Sequence, residues 1–199
     1  MADSHRMIAA LRLVLPPLAC AALLSAATHP VRSQALRLDP AETKVEFTLP
    51  SLLHTVHGTF ALERGSIEFD PLTGKASGEL VVDATSGDSG SGARDRRMHK
   101  DILQSDKFPQ IVFRPDHVEG RVLPLGASQV QMHGIFSIHG ADHEIVMPLE
   151  IQASAGQYNA VAHFSVPYVK WGMKNPSTLM LRVNDTVEIR IETVARFAH

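Results

Sequence analysis

Cysteine is almost absent from this 199-residue chain. The one it has, Cys20, lies in an apolar N-terminal stretch, so once that stretch is removed, disulfides, thiolate zinc sites and a cysteine nucleophile are all excluded. Aromatic residues are scarce too, with eight Phe, two Tyr and one Trp, and most share the parity of the neighbouring aliphatics rather than forming a platform on which bases could stack. An excess of positive charge is also missing: 19 Lys and Arg stand against 21 Asp and Glu, the wrong balance for a chain that binds phosphate backbones. There is no G-x-S-x-G elbow, no H-E-x-x-H pair and no phosphate-binding glycine loop. Internal repeats and domain-dividing linkers are absent as well. With 44% hydrophobic and 20% charged residues, the composition is that of one globular domain.

The chain begins "MADSHRMIAALRLVLPPLACAALLSAATHPVRSQA", in which Arg6 and Arg12 precede an apolar run from Leu13 to Ala27, followed by Ser33-Gln34-Ala35 as a small-x-small cleavage site. This is the pattern of a secretory signal peptide over residues 1–35, with a mature domain over 36–199 that is periplasmic or secreted after cleavage. As a membrane anchor the run is broken by Pro16 and Pro17 and falls short of the roughly 20 residues a spanning helix needs. As a lipoprotein signal it has Pro17 where an aliphatic residue belongs. The leader carries Arg6, Arg12 and Arg32 against Asp3 alone, so its loss leaves the rest more acidic.

Beyond Leu36 the hydrophobic pattern has period two, the signature of half-buried strands. Val45, Phe47 and Leu49 share a parity, as do Val56, Gly58, Phe60 and Leu62. Ile67 and Phe69 lead through Asp70-Pro71 and Thr73-Gly74 into Leu80 and Val82, a hairpin. The alternation resumes at Ile111 and Phe113, at Val130, Met132, Phe136 and Ile138, at Ile145, Met147, Leu149 and Ile151, and at Val187, Ile189 and Ile191. About eight strands are expected, with turns near Gly65, Gly74, Gly120, Gly140, Gly156 and Asn175-Pro176. The strong helix signal is "ARDRRMHKDILQ", Ala93–Gln104, where Met98, Ile102 and Leu103 fall on one side and Phe108-Pro109 breaks the helix into the next strand. Eight amphipathic strands with one helix predict an all-β fold: an eight-stranded antiparallel barrel with one short capping helix, wide enough to be filled by side chains or to enclose a slender ligand.

Candidates for chemistry are weak. Nine of the eleven histidines follow the leader. His54 and His57 point to opposite faces of a strand, while His133 and His139 share a face roughly 20 Å apart. His139 and His143 flank a glycine turn and form the best local metal pair, which keeps open a histidine-dependent metal or haem-binding barrel or a small periplasmic enzyme as an alternative. Asp95 beside Arg94, and Asp101 beside Lys100, look like groups that anchor a helix. In "YVKWGMKNP", Tyr168 and Trp171 either pack at the barrel rim or line the mouth of a tunnel.

Four stretches carry a resemblance: "GTF" at Gly58–Phe60, "ARDRRMHKDILQSDKFPQIVF" at Ala93–Phe113, "HGIFSIHGADHEIVMPLEI" at His133–Ile151, and "VEIRIE" at Val187–Glu192. Together they resemble the YceI-like family across nearly the whole mature chain. The resemblance implies an exported, extended lipocalin-like barrel that holds a polyisoprenoid or isoprenoid-quinone-type chain in an apolar tunnel, with no catalytic residues, metal or cofactor beyond the lipid itself. Pro50 stands where many members carry a histidine, and Tyr168 and Lys170 depart from a basic-aromatic-glycine pattern. The parity set then supplies the expected tunnel lining: Phe47, Leu49, Val56, Phe60, Leu62, Phe69, Leu80, Val82, Met98, Leu103, Ile111, Phe113, Met132, Phe136, Ile138, Met147, Leu149, Tyr168, Trp171 and Ile189. The expected partner is a long-chain isoprenoid lipid and not nucleic acid; transient membrane contact and a homodimer are compatible with it. Parity alone does not distinguish a lined lumen from a filled core.

Overall fold

A computed structural model describes residues 34–51, 55–179 and 182–197. Most of the leader, residues 1–33, and His54 lie outside the described residues. Nine strands run in sequence: β1 Gln34–Leu38, β2 Lys44–Leu49, β3 Val56–Phe69, β4 Ala76–Asp88, β5 Gln110–Glu119, β6 Gly126–Ile138, β7 Ala141–Ser154, β8 Gln157–Val166 and β9 Val187–Phe197. All pairings are antiparallel, and the sheet closes where β3 meets β4.

The nine strands occupy eight positions. β2 pairs with β3 over Val56–Phe60 and with β9 over Glu188–Glu192, while β1 pairs with β3 over Gly65–Phe69 and with β9 over Ala195–Phe197. β1 and β2 are therefore two halves of one barrel stave, interrupted by a single 3-10 turn at Pro40–Glu42 that Asp39 caps through the Ala41 N–H. Closure gives each stave a neighbour on both sides, although β7 meets β8 only over Leu149–Ser154 and β4 meets β5 only over Leu80–Asp83, and each strand turns its apolar parity inward.

The expected count of strands is met by a different partition. Gly65 is not a turn: β3 runs straight through it for 14 residues. Between Leu62 and Arg64 the strand spends two residues against one step of β4, and this bulge flips the alternation, so Phe60 and Leu62 share the interior with Ile67 and Phe69. Gly65 is small because a Cβ there would stand 3.0 Å from Leu38 of β1. β5 does the same between Pro115 and His117, which brings Val118 inward after Phe113. Two strands have no counterpart among the expected runs, β1 and β8, and the inward set of β8 is Tyr158, Ala160, Ala162, Phe164 and Val166.

The helix is also not the uniform one expected over Ala93–Gln104. An α-helix, α1, covers Gly92–Arg97, and the chain then widens into a π-helical turn over Met98–Leu103, ended by Gln104 in the left-handed region at φ 47°. The wide turn brings Met98, Ile102 and Leu103 together over the barrel, as a cap.

Candidate functional site

The barrel interior is not filled. The inward side chains leave two apolar cavities, one of about 350 Å³ towards the end formed by the β3–β4, β5–β6 and β7–β8 turns, and one of about 490 Å³ beneath the helical cap. Six residues from six strands border both: Val45, Val82, Ile111, Phe136, Phe164 and Ile191. They form a waist, in which Phe136 and Phe164 meet edge to face at 5.9 Å. Native interiors contain few voids larger than a water molecule, and cavities of this size fall in the range of ligand sites. Small residues explain the space: Ala160, Ala162, Thr193 and Ala195 line the first cavity where larger side chains would close it.

Nineteen of the twenty side chains expected on the tunnel wall border one of these cavities. Phe47, Leu49, Val56, Phe60, Met98, Leu103, Ile138, Tyr168 and Ile189 surround the second cavity. Leu62, Phe69, Leu80, Phe113, Met132, Met147 and Leu149 surround the first, and Val82, Ile111 and Phe136 stand at the waist. Trp171 is the exception. The turn after β8 carries its indole flat against the His143 ring, with centroids 3.9 Å apart and planes 4° apart, and leaves it 5.9 Å from Phe136, outside both cavity walls. Leu38, Val118, Val122, Tyr158, Ala162, Phe164, Val166 and Met173 line the cavities unforeseen. For β8 the signal was present, as Tyr158, Phe164 and Val166 alternate with Asn159, His163 and Ser165. It was diluted by two alanines.

The second cavity ends under a cap held by directed bonds. The Asp95 carboxylate accepts from the Ser89 N–H at 3.0 Å and from the Ser89 hydroxyl, and these bonds hold its pKa below the usual carboxylate value. Arg94 donates to the Ser89 hydroxyl at 2.7 Å and to the Ser89 carbonyl at 2.9 Å. His99 fixes the wide turn: Nε2 donates to the Gly87 carbonyl at 2.9 Å, and Nδ1 pairs with the buried Ser105 hydroxyl at 3.1 Å. Gly87 lets the cap close tightly, since a Cβ there would stand 2.5 Å from the Phe60 ring and 2.7 Å from the Met98 methyl and would have to displace both. Behind the cap Phe108 lies on the β6–β7 turn, where Gly140 has φ 76° and a Cβ would meet the ring at 2.5 Å. Asp101 and Lys100, expected to help anchor the helix, make no side-chain hydrogen bond or ion pair among the described residues.

The long β8–β9 connection completes this end. Tyr168 donates to the Asn184 carbonyl at 2.7 Å, and burial, then the charge of Asp185, pushes its phenol up to about 12. Asn175 bridges the Val183 carbonyl and the Asp185 carboxylate. The polar side chains bordering the second cavity, Ser51, Ser89, Ser91, Arg94, Arg97 and Tyr168, belong to the cap and the connections around it.

The histidines do not assemble into a centre. His139, at φ 52° in the β6–β7 turn, packs on Phe108 at 5.0 Å, whereas His143 stacks on Trp171. His57 bonds Thr48, and His133 and His163 each lie 3.7 Å from a glutamate on the outer wall. Among the described residues no group of three His, Cys, Asp or Glu stands close enough to hold a metal ion.

Comparison with known proteins agrees with this geometry. No curated protein matches the chain. Among solved structures, Burkholderia cenocepacia BcnA superposes with a TM-score of 0.65 at 17% identity, covering 79% of this chain and 98% of its own. A polyisoprenoid-binding domain from Saccharophagus degradans, implicated in plant cell wall breakdown, gives 0.64 at 16% identity, covering 83% and 99%. The Campylobacter jejuni YceI protein gives 0.57 at 17% identity, covering 68% and 81%. At these identities the likeness establishes a shared fold. The family model of the YceI-like domain matches residues 36–195, and this chain belongs to the YceI-like family.

Proposed function

We propose that this protein is an exported carrier or reservoir that holds one long isoprenoid chain, a polyprenyl or isoprenoid-quinone-type lipid, along the barrel axis, and that it acts by binding rather than by turnover. The observation that carries this reading is the pair of apolar cavities that lie in series and share the Phe136–Phe164 waist as a wall. A flexible hydrocarbon chain fits two such chambers in series, and each buried methylene contributes about 0.8 kcal/mol, so few polar contacts are needed. The polyisoprenoid-binding domain with the same fold supports the choice of ligand class.

Export follows from the leader pattern, and it places the protein in the periplasm or outside the cell. β1 begins at Gln34, so cleavage after Ala35 would trim two residues that pair with Phe69 and Glu68 from the start of the strand. The rest of β1, Leu36–Leu38, keeps its pairing with both β3 and β9.

Filling the lumen tests the proposal. Ala162 is 4% exposed and lines the first cavity. Ala162→Trp is expected to weaken equilibrium binding of an isoprenoid quinone presented in detergent by at least ~tenfold, while thermal stability is kept or raised because the indole fills space. Unchanged binding in a folded variant would overturn the reading.

A further inference from the structure

The second cavity has a polar end, and the charge that borders it has one sign. Of all the described side chains that line either cavity, two are charged, Arg94 and Arg97; no Asp or Glu lines either one. Both arginines belong to α1 and reach solvent as well as the cavity. Arg94 is committed, because its guanidinium holds the Ser89 hydroxyl and carbonyl. Arg97 is not: it makes no side-chain hydrogen bond or ion pair among the described residues.

Ser91 is a second idle group on the same cavity. It stands at the N-cap of α1, where a serine oxygen ordinarily accepts from a backbone N–H, yet it makes no capping bond and borders the cavity instead. The carboxylates of this end are turned elsewhere. Asp95 accepts from Ser89, Asp88 accepts from the Gly90 N–H at 2.7 Å, and Asp101 forms no ion pair with Arg97; none of the three borders the cavity.

An apolar tunnel that ends in an unpaired guanidinium and an unpaired hydroxyl is matched by an amphiphile with an acidic head. The chain is buried along the barrel while the head stays beside exposed residues, so its charge is never stripped fully of water. A quinone or an alcohol brings no charge for Arg97 to meet. A prenyl chain becomes anionic as its phosphate ester, whose oxygens fit the forked donors of a guanidinium.

We infer that Arg97, with Ser91, forms a head-group subsite at the capped end that takes the phosphate of a polyprenyl phosphate and selects it over uncharged lipids of the same chain. The inference rests on the isoprenoid-binding reading for the chain and goes beyond it in assigning the head.

The test compares two ligands that share one chain, a polyprenyl phosphate and the corresponding polyprenol, each titrated from detergent into the exported protein. Wild type is expected to bind the phosphate at least ~tenfold more tightly than the alcohol, by an advantage that shrinks as salt is added. Arg97→Gln should bring the phosphate down to about the affinity of the alcohol, while the alcohol affinity and the thermal midpoint stay at wild-type values, because Arg97 holds nothing in the fold. Ser91→Ala should weaken the phosphate alone, by roughly threefold. Arg96→Gln removes the same charge from a neighbouring position that borders neither cavity and should change neither ligand. Equal wild-type affinity for the two lipids overturns the subsite, as does an Arg97→Gln variant that keeps the preference or an Arg96→Gln variant that loses it equally. In those cases polyprenol binding that Ala162→Trp weakens leaves the isoprenoid reading standing. Failure of both lipids to bind sinks that reading, and the subsite with it.

Discussion

The two ends of the barrel are built on different principles. At the capped end, α1, the wide turn, Phe108 and the β8–β9 connection are joined by bonds that cross between elements: Asp95 and Arg94 to Ser89, His99 to Gly87, Tyr168 to Asn184. At the turn end, most bonds stay inside a single loop, and the leucines at the tips touch little. One end is fixed by cooperative contacts whose loss costs stability. The other is held in shape locally, and its apolar tips stand in solvent. Substitutions should therefore cost more stability at the capped end than at the tips of the turn end.

The largest stability effect is expected from Gly87→Val. Its side chain would collide with Phe60 and Met98, and overpacking of this kind costs about 1–3 kcal/mol, read as a lowered midpoint in urea. Asp95→Ala comes next, at about 1–2 kcal/mol, because it leaves the Ser89 donors and the Arg94 guanidinium without their carboxylate. The depressed carboxylate pKa gives the sign of its pH dependence. The contribution is complete above the ordinary value of 3.8 and is lost as pH falls through the lower folded value, so wild type and variant should converge in acid. Tyr168→Phe should cost about 1 kcal/mol by unpairing the Asn184 carbonyl. In the wild type the raised phenol contributes stability below pH 10 that is lost as pH rises through about 12, and the variant should lack this alkaline loss. Leu72→Ser/Leu125→Ser should shift stability least, within about 0.5 kcal/mol, because both side chains stand in solvent. A stability loss there as large as that of Gly87→Val would erase the contrast between the ends.

Much of this was legible in the sequence because closure of an antiparallel barrel leaves each strand one interior parity. Phe47, Phe136 and Met147 could be assigned to the inside without knowing what they face. The reading broke where parity itself breaks. The bulge at Leu62–Arg64 made one long strand look like two, and the shift after Pro115 hid Val118. β8 escaped because Ala160 and Ala162 carry little hydrophobic signal, yet those small side chains are what leave the lumen open. For Trp171 the sequence left rim packing and tunnel lining both open, because its orientation is set by a stack on His143, 28 positions away in the chain, and no local pattern reports such a contact. The cap was visible as an amphipathic run, but its anchors, Ser89, Gly87 and Ser105, are small residues without a distinctive pattern.

The central claim is that the two cavities together hold an isoprenoid chain, and the contents of the protein from its own source test it most directly. Protein isolated from its native host under mild conditions should yield, on organic-solvent extraction and mass spectrometry, a polyprenyl lipid or isoprenoid quinone close to one per chain. The Ala162→Trp variant isolated in parallel should yield little of it. Recovery of no lipid from the wild-type protein, or of equal lipid from both, would contradict the account.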